Sequence, residues 1–365
     1  MRRRRVGVHA VDWNAMQDAI GRWYVETHRD LPWRRGRDPY ATWLSETMLQ
    51  QTRAQTVVAY FERFLRELPT VHALAEAPLD RVLALWSGLG YYRRARMLHA
   101  AARTVVANFD GRVPSELHEL RQLPGVGRYT AGAIASIAYG RRTAVVDGNV
   151  SRLLARVFGV DDDVGSARGA AQIWSLADQL VAPPGIDPGV LNQGMMELGA
   201  TVCLPRAPRC QDCPLCAACV ARATGQAGQW PKTSSKRPSM TVRRSALVLA
   251  SQRFVVLARR KLTGLFGGLW EPPSTEGEAS TLAHALQVPP DRLRSVGLVQ
   301  HVLSHRRMRV EVFVGPLGRR RTFVQDCQDY EAVEAKEWSA LPSLPQSALT
   351  RKVLKLATPG LGSLR

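Results

Sequence analysis

Lysine is missing from the first 231 residues of this 365-residue chain. All six lysines (Lys232, Lys236, Lys261, Lys336, Lys352 and Lys355) come later, and the other 44 of its 50 cations are arginine. No side-chain amine nucleophile is available before Lys232, which excludes a lysine Schiff base from that part of the chain. Acids are scarce as well. Against 50 Lys and Arg stand 31 Asp and Glu, a formal charge of +19 that makes a polyanionic partner the first expectation. Both halves share it: residues 1–231 carry 28 Arg and 21 acids (+7), and 232–365 carry 22 cations and 10 acids (+12).

Long apolar runs are also missing. None approaches the roughly 18–20 residues of a membrane span, and the basic Met1 to Arg5 run leads into no apolar signal core. A soluble, cytoplasmic, nucleoid-associated protein is expected, with no membrane partner. Cysteine is nearly confined to one stretch, five of six lying between 203 and 219, which suits a metal site in a reducing compartment better than a disulfide framework. Cys327 stands alone and reads as a small buried residue. What is present, 45% hydrophobic residues and nine Trp, is the composition of a folded protein with enough length for two domains.

After a basic tail over 1–11, residues 12–200 read as successive amphipathic helices. Trp13, Met16, Ile20, Trp23 and Tyr24 share one helical face, and Val82, Leu83, Leu85 and Trp86 form a second apolar segment ahead of Gly88 and Gly90. Ser115 is positioned as an N-cap for Glu116–Leu120. The cysteine loop occupies 201–223, and a linker poor in apolar residues is expected over 224–243. Beyond it, strand-like runs at Ala246–Ala250, Phe254–Ala258 and Arg309–Val314 alternate with helical stretches near 279–287 and 346–356, an α+β second domain over 244–358.

Cys203, Cys210, Cys213, Cys216 and Cys219 offer five thiols where a tetrahedral ion or an iron-sulfur cube needs four. The last four are evenly spaced; counted from Cys203 the pattern is C-x6-C-x2-C-x5-C and leaves Cys216 over. Two separated C-x2-C knuckles of a zinc ribbon are not seen, which favours an iron-sulfur cluster over zinc. Leu123-Pro124-Gly125-Val126-Gly127 followed by Arg128-Tyr129-Thr130 reads as helix, tight glycine turn, helix start, a place where backbone amides meet a phosphate. Asp147 follows twenty residues after Gly127. Ser45-Glu46-Thr47-Met48-Leu49-Gln50-Gln51-Thr52 sets one acid among apolar neighbours; alone it would read as the surface residue of an amphipathic helix.

Together, the hairpin, Asp147, the cysteine pattern and the Ser45–Thr52 segment resemble the MutY-type adenine DNA glycosylases of the endonuclease III superfamily, over roughly residues 12–356. The resemblance implies an all-α helix-hairpin-helix glycosylase domain with an iron-sulfur cluster loop, followed by an α+β Nudix (MutT)-like domain, acting as a monomer on duplex DNA with adenine opposite 8-oxoguanine or guanine. It implies Cys203, Cys210, Cys213 and Cys219 as ligands of a [4Fe-4S] cluster, Glu46 as general acid with a pKa raised by apolar surroundings, and Asp147 as stabiliser of the sugar cation or partner in a transient covalent adduct. Asn149 is expected to orient Glu46 or water, and Tyr129 to hydrogen-bond Asp147. Tyr129 stands where lyase-competent relatives carry lysine, implying a monofunctional hydrolase. Leu89 and Tyr91 match the family's wedge beside the lesion, Gly125, Val126 and Gly127 its phosphate hairpin, and Gln50, Gln51 and Thr52 further DNA contacts. In the second domain, Gly264–Pro272 matches the start of the MutT-like fold without the Glu-rich metal box, implying a binding module. Ser304 and His305 match the loop that reads 8-oxoguanine, with Leu303 in place of its Phe.

Overall fold

A computed structural model of the protein describes residues 11–234, 239–318 and 329–361. The basic Met1–Arg5 run and Cys327 lie outside the described residues. Helices follow one another from the start: α1 (Trp13–Thr27), α2 (Pro39–Leu49), α3 (Ala54–Glu67), α4 (Val71–Glu76), α5 (Leu79–Trp86), α6 (Arg93–Asn108), α7 (Leu117–Leu120), α8 (Arg128–Ala133), α9 (Gly148–Phe158), α10 (Ala167–Val181), α11 (Pro188–Thr201) and α12 (Val220–Ala223). Many starts are written into the chain as side-chain caps. Asp38 and Asp187 each precede a proline at the first helical position and accept the backbone N–H three residues on, at 2.6 Å from Ala41 and 3.0 Å from Val190. Ser115 is not such a cap: Glu116 occupies the position before α7 without a side-chain bond to the helix, and the Ser115 hydroxyl donates to Glu116 Oε1 instead.

The chain then forms β1 (Met240–Ala250), β2 (Phe254–Arg260), β3 (Trp270–Glu271), β4 (Ser274–Thr275), α13 (Ala279–Ala285), β5 (Arg294–Val302), β6 (Arg306–Pro316), β7 (Tyr330–Glu337) and α14 (Ala348–Leu361). The sheet runs β3-β2-β1-β6-β5, with β4 on β1 and β7 on β2, and is mixed because β1 and β6 are parallel while the other pairs are antiparallel. Alternation along β6 sends Met308, Val310, Val312 and Val314 to one face, where α14 packs through Leu349, Val353 and Ala357. The other face buries Leu247 and Leu249 beneath Ala279, Leu282 and Ala283 of α13.

Two compact units result, and they do not follow the linear division. One comprises 1–65 and 104–235; the other joins 66–103 to 236–365. Within the second unit, the Tyr92 hydroxyl donates to Gln346 O at 2.9 Å, Arg96 donates to Gly267 O at 2.7 Å, and Arg259 pairs with Asp80 at 2.6 Å, so the segment of α4–α6 is stitched to the sheet domain. The expected linker is also shorter than its composition implies. Trp230 is buried and β1 already begins at Met240.

Candidate active site and cysteine loop

Glu46 sits on α2 in a run, Thr42 to Met48, in which every residue is buried, and is itself only 3% exposed. Burial pushes its carboxyl up to about 7. A hydrogen bond from Tyr129 pulls the other way, and the Asp147 carboxylate adds to the rise. The Tyr129 hydroxyl donates to Glu46 Oε2, not to Asp147 as the sequence led us to expect. The reason is local: Tyr129 stands in the first turn of α8, which packs on α2, whereas both oxygens of Asp147 are taken by its own helix start. Asp147 caps α9, accepting from Val150 N at 2.7 Å and from Asn149 Nδ2 at 2.9 Å. Burial raises the Asp147 carboxyl, and these donors oppose the rise.

Asn149 therefore holds Asp147 rather than Glu46. Its Oδ1 accepts from Arg152 Nη2 at 2.9 Å, and Arg152 donates onward to Gly199 O at 2.7 Å and Cys203 O at 2.8 Å. A continuous hydrogen-bonded path links the Asp147 carboxylate to the start of the cysteine loop. Gly199 permits it, because a Cβ there would stand 2.7–2.9 Å from Asn149 atoms, two of them backbone.

Glu46, Tyr129, Asp147 and Asn149 line one cleft of about 970 Å³, together with Gln50, Gln51 and Thr52. Gln51 is exposed with a left-handed φ of 58°, so the turn after α2 turns this side chain outward. Gln50 Nε2 donates to Thr130 Oγ1 at 3.3 Å, which ties that turn to α8. The cleft also contains a group that sequence reasoning missed. Glu197 on α11, 1% exposed, accepts from Arg29 at 2.6 and 2.7 Å and from Arg34 at 2.7 Å. Burial opposes its charge, but the bonds from the two guanidiniums win and hold the carboxyl down at about 2. The separations of 163 and 168 residues carry no local signature.

The hairpin is formed as expected. Gly125 takes a φ of 77°, Val126 is buried with its N–H on Leu123 O at 3.1 Å, and Gly127 leads into α8 with no side-chain cap, leaving the first amides of α8 without one. The Leu89–Tyr91 segment belongs to the second compact unit. Leu89 is buried, so of the two expected wedge residues only Tyr91, 44% exposed and at a φ of 48°, presents its side chain. Arg94 stacks on the rings of both Tyr91 and Trp86 at 5.4 Å and donates to Gly90 O at 3.2 Å, supporting that conformation. In the same unit Ser304 and His305 form the exposed two-residue tip of the β5–β6 hairpin, closed by Leu303 N to Arg306 O at 2.8 Å. Ser304 Oγ is hydrogen-bonded to the Tyr91 hydroxyl. Leu303 packs against the sheet core, so it anchors the tip.

All five cysteines of the loop are free thiols and line one small, largely apolar cavity. Among the described residues no group of three or more His, Cys, Asp or Glu is arranged to hold a single metal ion. Arg156, only 2% exposed, reaches this cavity: it donates to Cys203 Sγ at 3.4 Å and to the carbonyls of Leu204, Pro205, Ala227 and Trp230. Among the described residues no carboxylate pairs with it. A buried cation without a counter-ion beside several thiols suits an anionic thiolate-bound cluster, which fits the residues present. The cavity walls include Cys216 as well, so the spare thiol faces the same space.

A helical unit with a glycine hairpin and an acid-lined cleft, in a chain that also carries a mixed-sheet domain, defines the class: a helix-hairpin-helix base-excision repair protein with a Nudix-like domain. Residues 44–179 match the HhH-GPD superfamily base excision DNA repair protein family, and 245–356 match the NUDIX domain. The solved structure of a thermostable thymine-DNA glycosylase superposes with a TM-score of 0.53 at 30% identity, covering 58% of this chain and 97% of that one. The adenine DNA glycosylase of Homo sapiens is 38% identical over 364 residues, covering 82% of this chain and 66% of that protein, so the chain spans about two thirds of its length. That of Mus musculus is 38% identical over 365 residues, covering 83% of this chain and 70% of the relative. The chain belongs to the adenine DNA glycosylase family. None of the described helices is long and apolar enough to cross a membrane.

Proposed function

We propose that this protein hydrolyses the N-glycosidic bond of adenine mispaired with 8-oxoguanine, and more weakly with guanine, in duplex DNA. The observation that carries this reading is the pair of carboxylates in one cleft with unequal surroundings: Glu46, buried and near neutral in pKa, and Asp147, partly buried and held by donors. Adenine is a poor leaving group and the sugar gains positive charge as the bond breaks, so an acid for the base and an anion for the sugar divide the work. The protonated Glu46 carboxyl gives its proton to adenine N7 as C1′–N9 breaks. Asp147 stabilises the oxocarbenium ion. Water then adds to C1′, losing its proton to the Glu46 carboxylate, which restores the acid. Extruding the adenosine into the cleft costs a few kcal/mol, which contacts from Gln50, Gln51, Thr52 and the hairpin amides offset.

Because Tyr129 holds the Glu46 carboxylate and no lysine precedes Lys232, the enzyme is monofunctional, removing the base without strand cleavage. Ser304 and His305, exposed on a hairpin tip, are the donors and acceptors for the 8-oxoguanine edge. Cys203, Cys210, Cys213 and Cys219 would hold a [4Fe-4S] cluster whose thiolates cross-link the loop and neutralise Arg156; it supplies no chemistry to base removal. Excision assays on an A:8-oxoguanine duplex with wild type, Glu46→Gln and Asp147→Asn test the reading. Loss of activity in both variants is expected, and equal activity in all three overturns the mechanism.

A further inference from the structure

Five thiols face one cavity, and the cluster reading above uses four of them, leaving Cys216 without a task. Cys216 does not fill the core. It is partly exposed, and the packing residue beside it is Leu215, 3% exposed. What sets Cys216 apart is its place in the winding of the loop.

Cys210, Cys213, Cys216 and Cys219 are joined in series by three backbone hydrogen bonds, in each of which the N–H of one cysteine donates to the carbonyl of the cysteine before it. Cys213 donates to Cys210 at 3.4 Å, Cys216 to Cys213 at 3.0 Å and Cys219 to Cys216 at 3.5 Å. Bonds that span three residues wind the chain at about three residues per turn, so side chains three apart fall on one side. The loop also contains the same turn twice. One 3-10 turn is Cys210–Asp212 and the other Cys216–Ala218, and the cysteines that close them share one backbone conformation: φ −89° and ψ 121° at Cys213, φ −88° and ψ 116° at Cys219. Cys216 therefore opens the second turn as Cys210, one of the four implied ligands, opens the first. Of those ligands, Cys219 is the one that shares a turn with Cys216. Cys210 and Cys213 belong to the other turn, and Cys203 stands outside both, just after α11, where its Sγ receives a hydrogen bond from Arg156 Nη1 at 3.4 Å.

We propose that Cys216 is a reserve ligand of the iron-sulfur cluster, taking over the iron that Cys219 holds when the Cys219 thiolate leaves. The proposal rests on the cluster reading. In the exchange the Fe–Sγ bond to Cys219 breaks as the bond to Cys216 forms. The Cys216 thiol gives up its proton, the departing Cys219 sulfur takes one up, and no electron is transferred. The cluster keeps its charge, and Arg156 keeps its counter-ion.

The test uses the full chain, purified without oxygen, as wild type, Cys216→Ala, Cys219→Ala and the double variant, because alanine offers iron no ligand atom. Iron and acid-labile sulfide per chain are measured. Wild type and Cys216→Ala are expected to carry a full cluster, Cys219→Ala to keep most of it, and the double variant to lose nearly all of it. Since the double variant can fail to fold, folded wild type and Cys219→Ala are also treated with iodoacetamide, and the modified cysteines are located by peptide mass spectrometry. Cys216 should be alkylated in loaded wild type and protected in Cys219→Ala. A Cys219→Ala chain as empty as the double variant, a double variant that keeps its cluster, a Cys216→Ala chain that loses it, or Cys216 alkylated to the same extent in wild type and Cys219→Ala overturns the proposal. Wild type without iron and sulfide overturns the cluster reading and this inference with it, whereas an empty Cys219→Ala beside a loaded wild type overturns this inference alone. None of these readouts depends on excision.

Discussion

The Tyr129 hydroxyl donates to Glu46 Oε2, while Asn149 is the side chain that grips Asp147. Each carboxylate thus has its own orienting partner, and the two acquire different proton affinities from different neighbours.

The first consequence is a pH profile. Glu46 titrates near 7 and must be protonated to act, so the single-turnover rate falls about tenfold per pH unit above that value. The Tyr129 bond lowers the Glu46 pKa, so Tyr129→Phe moves the alkaline limb to higher pH. Single-turnover rates between pH 6 and 9 check this; a limb displaced to lower pH contradicts it.

The same group costs stability. Its pKa rises from 4.5 to about 7 on folding, so the folded state binds the extra proton, and stability falls as pH rises through that window. Above pH 7 the cost is at most roughly 3–4 kcal/mol, from 1.36 kcal/mol per unit over the rise from 4.5 to about 7. Glu46→Gln keeps an acceptor for Tyr129 and removes the charge. Denaturant unfolding should show the variant more stable than wild type at pH 8 and nearly equal at pH 4.5; equal stability at both argues against a buried, charge-penalised carboxyl.

Arg152 connects Asn149 to Cys203 O, so Arg152→Ala releases the Asp147 side of the cleft without touching Glu46. Excision should drop by about 1.5–3 kcal/mol of transition-state stabilisation, the worth of a charged hydrogen bond. The alkaline limb set by Glu46 should stay where it is, and a displaced limb would mean that Arg152 acts on both acids.

Without a lysine before Lys232, borohydride should trap little or no covalent protein–DNA adduct. Efficient trapping by wild type, detected as a slow-migrating band, would sink the monofunctional reading.

Ser304 is bonded to the exposed Tyr91, so its loss affects the reader and the wedge together. Ser304→Ala is expected to reduce the preference for A:8-oxoguanine over A:G by about 1–3 kcal/mol, read as the ratio of kcat/KM for the two duplexes. Equal losses on both duplexes would instead make Ser304 a general DNA contact.

Much of the candidate site was legible because its residues lie in short local patterns. Glu46 follows from an acid inside a buried helical run, Gly125 and Gly127 from a turn that needs φ above zero, and the thiols from their spacing. What local pattern does not carry is partner choice. The Tyr129 hydroxyl reaches Glu46 rather than Asp147 because its direction depends on how α8 crosses α2, and Asn149 bonds Asp147 rather than Glu46 because both stand at the start of α9. Glu197 with Arg29 and Arg34 went unseen because ion pairs across 163 or more residues leave no periodic trace.

By itself the sequence determined the helical and mixed α+β classes, the glycine hairpin, the clustered thiols and the exclusion of amine chemistry before Lys232, since helix periodicity, φ restriction and residue type are properties of a few neighbouring residues. Tertiary structure decided that residues 66–103 join the sheet domain, that Leu89 is buried while Tyr91 is exposed, and that a hydrogen-bonded path runs from Asp147 to Cys203. These depend on which surfaces meet when helices and strands remove their apolar faces from water, and that choice is made by the whole chain.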